Sequence, residues 1–234
     1  GGDIVRDTVK VTIPEGYTLN DIASAVEKSG LVSKDEFIRA ALQGKYDYSF
    51  ISEIPQRDRK LEGYLFPDTY EFAKGVTAEK IVDRMVSRFD QGFDGDMKKK
   101  AKEDNLTVDQ VLTVASIIEK EAKLESERPE IAAVIYNRLK INKKLEMDST
   151  VNYILSISGK KIQFSTGIDS PYNTYKYPGL PVGPIANPGK SSIEAALNPS
   201  NVDYLYFYAI DGLSGQHVFS RTFAEHQKVI EKYK

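Results

Sequence analysis

Residues 165–190 read STGIDSPYNTYKYPGLPVGPIANPGK, with five prolines and four glycines among them. Proline lacks the N–H that a helix interior and a central strand both need, so neither can run through this stretch. Loops of this length inside a compact domain are usually functional or disordered. Tyr172, Asn173 and Tyr175 argue for order, because aromatic side chains favour packing or binding. The regular elements must therefore be arranged around a long ordered loop.

Those elements can be read from periodicity and caps. TVKVTI (8–13) alternates Val9, Val11 and Ile13 on one face, the period of a half-buried strand. Thr18 with Asp21, and Ser33 with Glu36, have the spacing of capping boxes and open two helices. LEGYLFPDTYEF (61–72) is aromatic, strand-like material broken by Pro67. The order strand, helix, helix, strand predicts a small module over residues 8–75. Residues 76–234 then read as mostly helical. A stripe runs through Ile81, Val82, Met85, Val86 and Phe89, and an exposed helix within 90–105 carries Lys98–Lys100 and Lys102. Thr107 with Gln110 caps the next helix, Ser126 and Pro129 start another, and Asp148 or Ser149 caps a short one. After the loop, Ser191 with Glu194 caps a helix, LYFYAI and HVFS form a hairpin, and Thr222 with Glu225 caps the last helix. The fold class is α+β: a small β-α-α-β module followed by a mixed helical domain with a β-hairpin.

Composition removes most chemistry. There is no cysteine, which excludes disulfides and thiol catalysis, and two histidines are too few for a multi-histidine zinc site. Neither a GxSxG elbow nor a phosphate-cradling P-loop occurs, so no metal and no cofactor are expected. A net charge of −2 gives no sign of a nucleic-acid partner. His226 shares a stripe with Phe223, Ile230 and Tyr233 and is expected to pack within its helix. Carboxylates remain as the reactive groups.

The helix containing TVASIIEKEA (113–122) carries two of them, Glu119 and Glu121. At 100° per residue, Val108, Val111, Leu112, Ala115, Ile118 and Ala122 form one stripe. Glu119 lies about 40° from Ala115, on that stripe, and Glu121 about 120° away on a flank. A carboxyl directed at apolar surroundings is expected to keep its proton near neutrality, as a general acid must. The alternative is a buried ion pair, for example with Arg138. Tyrosine faces stack on sugar rings and Asn bonds their hydroxyls, so an acid beside the YNTY loop suits a glycan-cleaving site. Equally, Tyr172, Tyr175 and Tyr177 could pack the loop and Asn173 could cap a turn.

IPEGYTLNDIA (13–23) resembles the start of a LysM module, a fold that binds N-acetylglucosamine-containing glycans; Tyr17 replaces that family's usual acidic residue. In order along the chain, LEGYLFPDTYEF, ASIIEKEA, VIYNRL, MDSTVNY, SPYNTY, GLPVGPIANPG and YLYF resemble the YceG-like family of endolytic murein transglycosylases, most strongly over 61–220. Ser149 stands where some relatives carry Pro. The resemblance implies a LysM-like module at 8–75, a catalytic domain at 76–234, and an enzyme cutting peptidoglycan glycan strands internally. It implies Glu119 as the acid, with Glu121, Asn137, Asp148, Tyr172, Asn173 and Tyr175 binding substrate or supporting the site. One acid suffices in such a reaction. Glu119 would protonate the oxygen between N-acetylmuramic acid and N-acetylglucosamine, then take the proton of the muramoyl C6 hydroxyl as it attacks C1. A 1,6-anhydromuramoyl end results, no water is consumed, and proximity replaces an enzyme nucleophile.

The resemblance also implies work at the extracytoplasmic face of the bacterial cell membrane and a penicillin-binding synthase as partner. No apolar run approaches the roughly 20 residues of a membrane span. The resemblance implies an N-terminal membrane anchor, and because Gly1-Gly2 reads as a tag scar, that anchor is expected outside this sequence. Two other readings stay open: a hydrolytic muramidase pairing Glu119 with Asp148 or Asp169, and a wall-binding scaffold in which Glu119 is structural.

Overall fold

The computed structural model describes residues 7–210, 212 and 215–234; Gly1-Gly2 lie outside the described residues. Strand β1 (Thr8–Thr12) pairs antiparallel with β2 (Thr69–Ala73), setting Val9 opposite Phe72 and Val11 opposite Tyr70. Alternation buries Val11, Tyr70 and Phe72 on one face. Between the strands run α1 (Leu19–Lys28) and α2 (Lys34–Gln43), packed on each other. Both begin at reciprocal capping boxes, Thr18 with Asp21 and Ser33 with Glu36. Each box satisfies N–H groups that a helix start otherwise leaves open.

Helix α3 (Ala78–Gly92) buries its whole expected stripe and packs on α2, so the β-α-α-β unit shares a core with the helical remainder of the chain. Helix α4 (Gly95–Glu103) leaves Lys98 and Lys99 exposed. Helix α5 (Val108–Glu121), capped by Thr107 and Gln110, differs from the one-sided stripe expected of it. Every residue from Val111 to Ile118 is buried, because α6 (Arg128–Lys140), α7 (Asp148–Ile157) and α8 (Lys190–Leu197) all pack against it. Its buried hydroxyls are satisfied locally: Thr113 donates to the Asp109 carbonyl at 2.8 Å and Ser116 to the Thr113 carbonyl at 2.7 Å. Each fully buried Val, Leu or Ile on this helix contributes roughly 1.5–3 kcal/mol.

Three caps differ from expectation. Glu127, not Ser126, precedes α6, with Pro129 in the first turn, where a missing N–H costs nothing. Met147 precedes α7 without a side-chain cap, since Asp148 and Ser149 are engaged by Tyr175 and Glu121. Gly189 precedes α8, and its N–H is bonded to Glu119. Strands β3 (Tyr206–Ala209) and β4 (His217–Ser220) form the expected hairpin, and α9 (Phe223–Tyr233) lies against it after the Thr222–Glu225 box. Residues 165–189 carry neither helix nor strand. No helix among the described residues is long and apolar enough to cross a membrane.

Candidate active site

Glu119 and Glu121 end α5 two residues apart, about 200° around its axis, and so point to opposite sides. Glu119 does not meet apolar surroundings. Its Oε2 accepts from Arg128 Nη1 at 2.8 Å and its Oε1 from the Gly189 N–H at 2.7 Å, with the side chain 6% exposed. Arg128 Nη1 also donates to Ser192 Oγ at 2.6 Å. A Cβ on Gly16 would stand 3.4 Å from Glu119 Cγ, so the turn before α1 closes over the same carboxyl. The ion pair foreseen as an alternative therefore exists, but with Arg128 rather than Arg138. Arg138 donates instead to the carbonyls of Leu205 (2.6 Å) and Lys144 (2.8 Å). Glu119 joins α5 to α6, α8 and the N-terminal unit.

Glu121 borders an open cleft of about 480 Å³, a size that takes small ligands. Met147 and Asp148 at the start of α7, Tyr175 from the long loop, Tyr206 and Tyr208 from the hairpin, and Phe223, His226 and Ile230 from α9 also line it. Ser149 Oγ donates to Glu121 Oε1 at 2.6 Å and orients the carboxyl. Burial pushes the Glu121 carboxyl above the usual carboxylate range and Asp148 adds to that, while Ser149 and His217 act against it. A carboxyl held this way at an open cleft is suited to deliver a proton. The Tyr175 hydroxyl donates to Asp148 Oδ1, and burial together with this carboxylate raises the phenol's pKa.

The remaining candidates divide by position. Asn173 donates to the carbonyls of Thr166 (3.0 Å) and Ile168 (2.7 Å) and accepts the Tyr175 N–H (2.9 Å); it shapes the loop that presents Tyr175. Tyr172 is buried edge-on against Tyr153, centroids 4.9 Å apart, and borders a separate groove with Arg57 and Leu42. Asn137 donates to the carbonyls of Val202 (2.8 Å) and Tyr204 (2.9 Å), fixing the chain that enters β3. Asp169 is exposed and paired with Tyr177 and Lys176. The cleft thus brings together Glu121, Asp148 and Tyr175; Glu119, Asn137, Tyr172 and Asn173 stand outside its lining.

Several buried polar clusters, among them two around Glu62 and Glu127, escaped the sequence reading. Glu62, with no exposure, accepts from the Leu19 N–H (2.8 Å), Asn187 Nδ2 (2.9 Å) and the Tyr153 hydroxyl (2.9 Å). Burial pushes its pKa up to about 7, against Arg59 and those three hydrogen bonds. Asn187 also donates to the Tyr17 carbonyl (3.0 Å) and accepts the N–H groups of Gly63 and Leu65 (each 2.9 Å). One side chain of the long loop thereby ties Tyr17 and segment 62–65, both within the N-terminal unit, to the remainder of the chain. Gly63 is required there: its φ is +97°, and a Cβ would stand 2.5 Å from Pro184. Separately, Glu127 accepts both the backbone N–H of His217 (2.8 Å) and its Nδ1 (2.7 Å). Glu62 inside an aromatic and apolar motif was a usable signal. Glu127 and His217, 90 residues apart, had none.

The fold and cleft define an α+β protein with a largely buried carboxyl, its pKa raised by burial, at an aromatic-walled groove. The chain belongs to the YceG-like family, whose model matches residues 2–232. It is 39% identical over 236 residues to the endolytic murein transglycosylase of Bacillus subtilis (strain 168), covering 96% of this chain and 65% of that protein. It is 34% identical over 245 residues to the protein of the same name from Streptococcus pneumoniae serotype 2 (strain D39), covering 95% of this chain and 44% of the other. The chain therefore spans between under half and about two thirds of these relatives. The 2.6 Å crystal structure of a YceG-like protein from Listeria monocytogenes matches with a TM-score of 0.82 at 38% identity, over 94% of this chain and 76% of that one.

Proposed function

We propose that this chain cleaves peptidoglycan glycan strands internally as a lytic transglycosylase, with Glu121 as its general acid and base. The observation carrying this reading is the contrast between the two glutamates. Both oxygens of Glu119 are taken by Arg128 and Gly189, whereas among the described residues Glu121 is bonded only by Ser149, and it borders the cleft with its pKa raised by burial. The names of the relatives supply the substrate class. Glu121 protonates the glycosidic oxygen, whose bond to C1 breaks. The muramoyl C6 hydroxyl then attacks C1 and its proton passes to the Glu121 carboxylate, leaving a 1,6-anhydro end and the acid restored. Tyr175 and Asp148 contact the sugar beside the break, and Asn173 keeps Tyr175 in place. Glu119 and Asn137 support the frame.

A muramidase is the second reading, because Asp148 lines the same cleft and could direct a water. Mass spectrometry of digested peptidoglycan separates the two. Anhydro ends from the wild type and none from Glu121→Gln support the transglycosylase; products heavier by one water at each cut support hydrolysis. If Glu119→Gln abolishes the products while Glu121→Gln retains them, the acid is Glu119.

We also assign residues 8–75 to a LysM-like module and 76–234 to the catalytic domain, on the β1-α1-α2-β2 order and the helical remainder. Action at the extracytoplasmic face of the membrane, as a membrane-anchored enzyme beside a penicillin-binding synthase, completes the proposal.

A further inference from the structure

Phe223, His226 and Ile230 lie at i, i+3 and i+7 of α9 and all line the cleft that Glu121 borders. The imidazole of His226 is held on several sides. Tyr206 stacks on it with centroids 5.0 Å apart and planes 22° apart, Tyr208 meets it edge-on at 6.3 Å, and Phe223 lies at 6.4 Å. Tyr206 is itself fixed, with Arg138 4.9 Å and Lys143 5.4 Å from its ring centroid. A ring packed this way loses little freedom on meeting a ligand.

The two ring nitrogens are not equivalent. Nδ1 is buried and has no hydrogen-bond partner among the described residues. Nε2 has no hydrogen-bond partner among the described residues either, and His226 lines the cleft, so it is the nitrogen that the ring can offer. Burial, and the positive charge of Arg138, hold the ring's pKa below the usual histidine value and hence the ring neutral at neutral pH. A neutral imidazole with one usable nitrogen, backed by aromatic rings, suits a hydroxyl or acetamido group on an otherwise apolar-faced sugar.

We infer that His226 is a substrate-binding residue of the cleft, its Nε2 hydrogen-bonding a hydroxyl or acetamido group of the bound glycan while Tyr206 sets the plane of the ring. This rests on the proposed activity, and the test keeps the two apart. Binding of purified, uncrosslinked peptidoglycan strands is measured by calorimetry on Glu121→Gln, alone and combined with His226→Ala, His226→Gln or His226→Asn. Cleavage kinetics are then measured on the single His226 variants. Loss of one such hydrogen bond weakens binding roughly tenfold in the Ala variant and raises KM with little change in kcat. Gln places an amide nitrogen near the position of Nε2 and restores most of the binding; Asn reaches only as far as Nδ1 and does not. No residue of α9 is fully buried, so the melting temperature stays close to the parent's.

Equal binding by all four proteins overturns the inference while leaving the activity standing. Equal loss in Ala, Gln and Asn variants, accompanied by a lowered melting temperature, overturns it in favour of a packing role. Absence of strand binding and cleavage in every protein overturns the activity and the inference together.

Discussion

Glu119 and Glu121 share a helix end and differ in what surrounds them, which gives them opposite responses to the same substitution. Glu121→Gln removes the proton donor but keeps the shape and the Ser149 contact, so the cleavage rate should fall about 10²–10⁴-fold. Because the lost carboxyl is disfavoured by burial, the melting temperature should hold or rise. Glu119→Gln breaks a buried charge pair and weakens the bond to Gly189. A loss of about 2 kcal/mol is expected, read as a melting temperature roughly 4–8 °C lower, with catalysis less affected than in Glu121→Gln. The helical wheel points to Glu119 on the premise of one buried face. Helices α4, α6, α7 and α8 all pack on α5, so angle along it does not by itself separate the two carboxyls.

At the scale of elements, the long loop is held by a few side chains rather than by backbone ladders. Asn173 folds its first half, Asn187 anchors its second, and the Ile185 N–H is taken by Ser116 Oγ at 3.0 Å. Asn187→Ala leaves the N–H groups of Gly63 and Leu65 and one oxygen of Glu62 short of a partner. This should destabilise by at least about 3 kcal/mol in denaturant melts. Gly63→Ala combines a positive φ with a clash on Pro184 and should cost roughly 2–4 kcal/mol by the same measurement. That the loop would be ordered was legible in its tyrosines and asparagines. Which carbonyl each asparagine bonds was not: Asn187 reaches Tyr17 in a distant part of the chain, and Asn173 reaches Thr166 and Ile168 only once packing has set the irregular path of the loop.

The whole molecule carries its own pH dependence through Glu62. Its folded pKa of about 7 lies above the ordinary 4.5, so the folded state binds the proton more tightly than the unfolded one. That stabilising contribution is complete below about 4.5 and is lost as pH rises towards 7, at up to about 1.4 kcal/mol per pH unit. Glu121 shifts in the same direction. The difference in unfolding free energy between wild type and Glu62→Gln should therefore change across this window and level off above it. An unchanged difference from pH 4.5 to 8 would refute the assignment. Since Glu62 touches α1, α7 and the loop at once, the effect belongs to the joint between the N-terminal unit and the remainder.

By itself the sequence determined the local elements. Capping boxes at Thr18, Ser33, Thr107 and Thr222, the alternation of β1, the hairpin and the absence of helix and strand from 165–189 depend on neighbours a few residues away, and all are present. Ordered motifs also carried the family. Tertiary structure alone decided the polar partners: Arg128 for Glu119, Ser149 for Glu121, Asn187 for Glu62, Glu127 for His217. It decided as well that the cleft opens beside Glu121. A buried charge is stable only where specific donors converge on it, and that convergence comes from packing residues far apart in the chain.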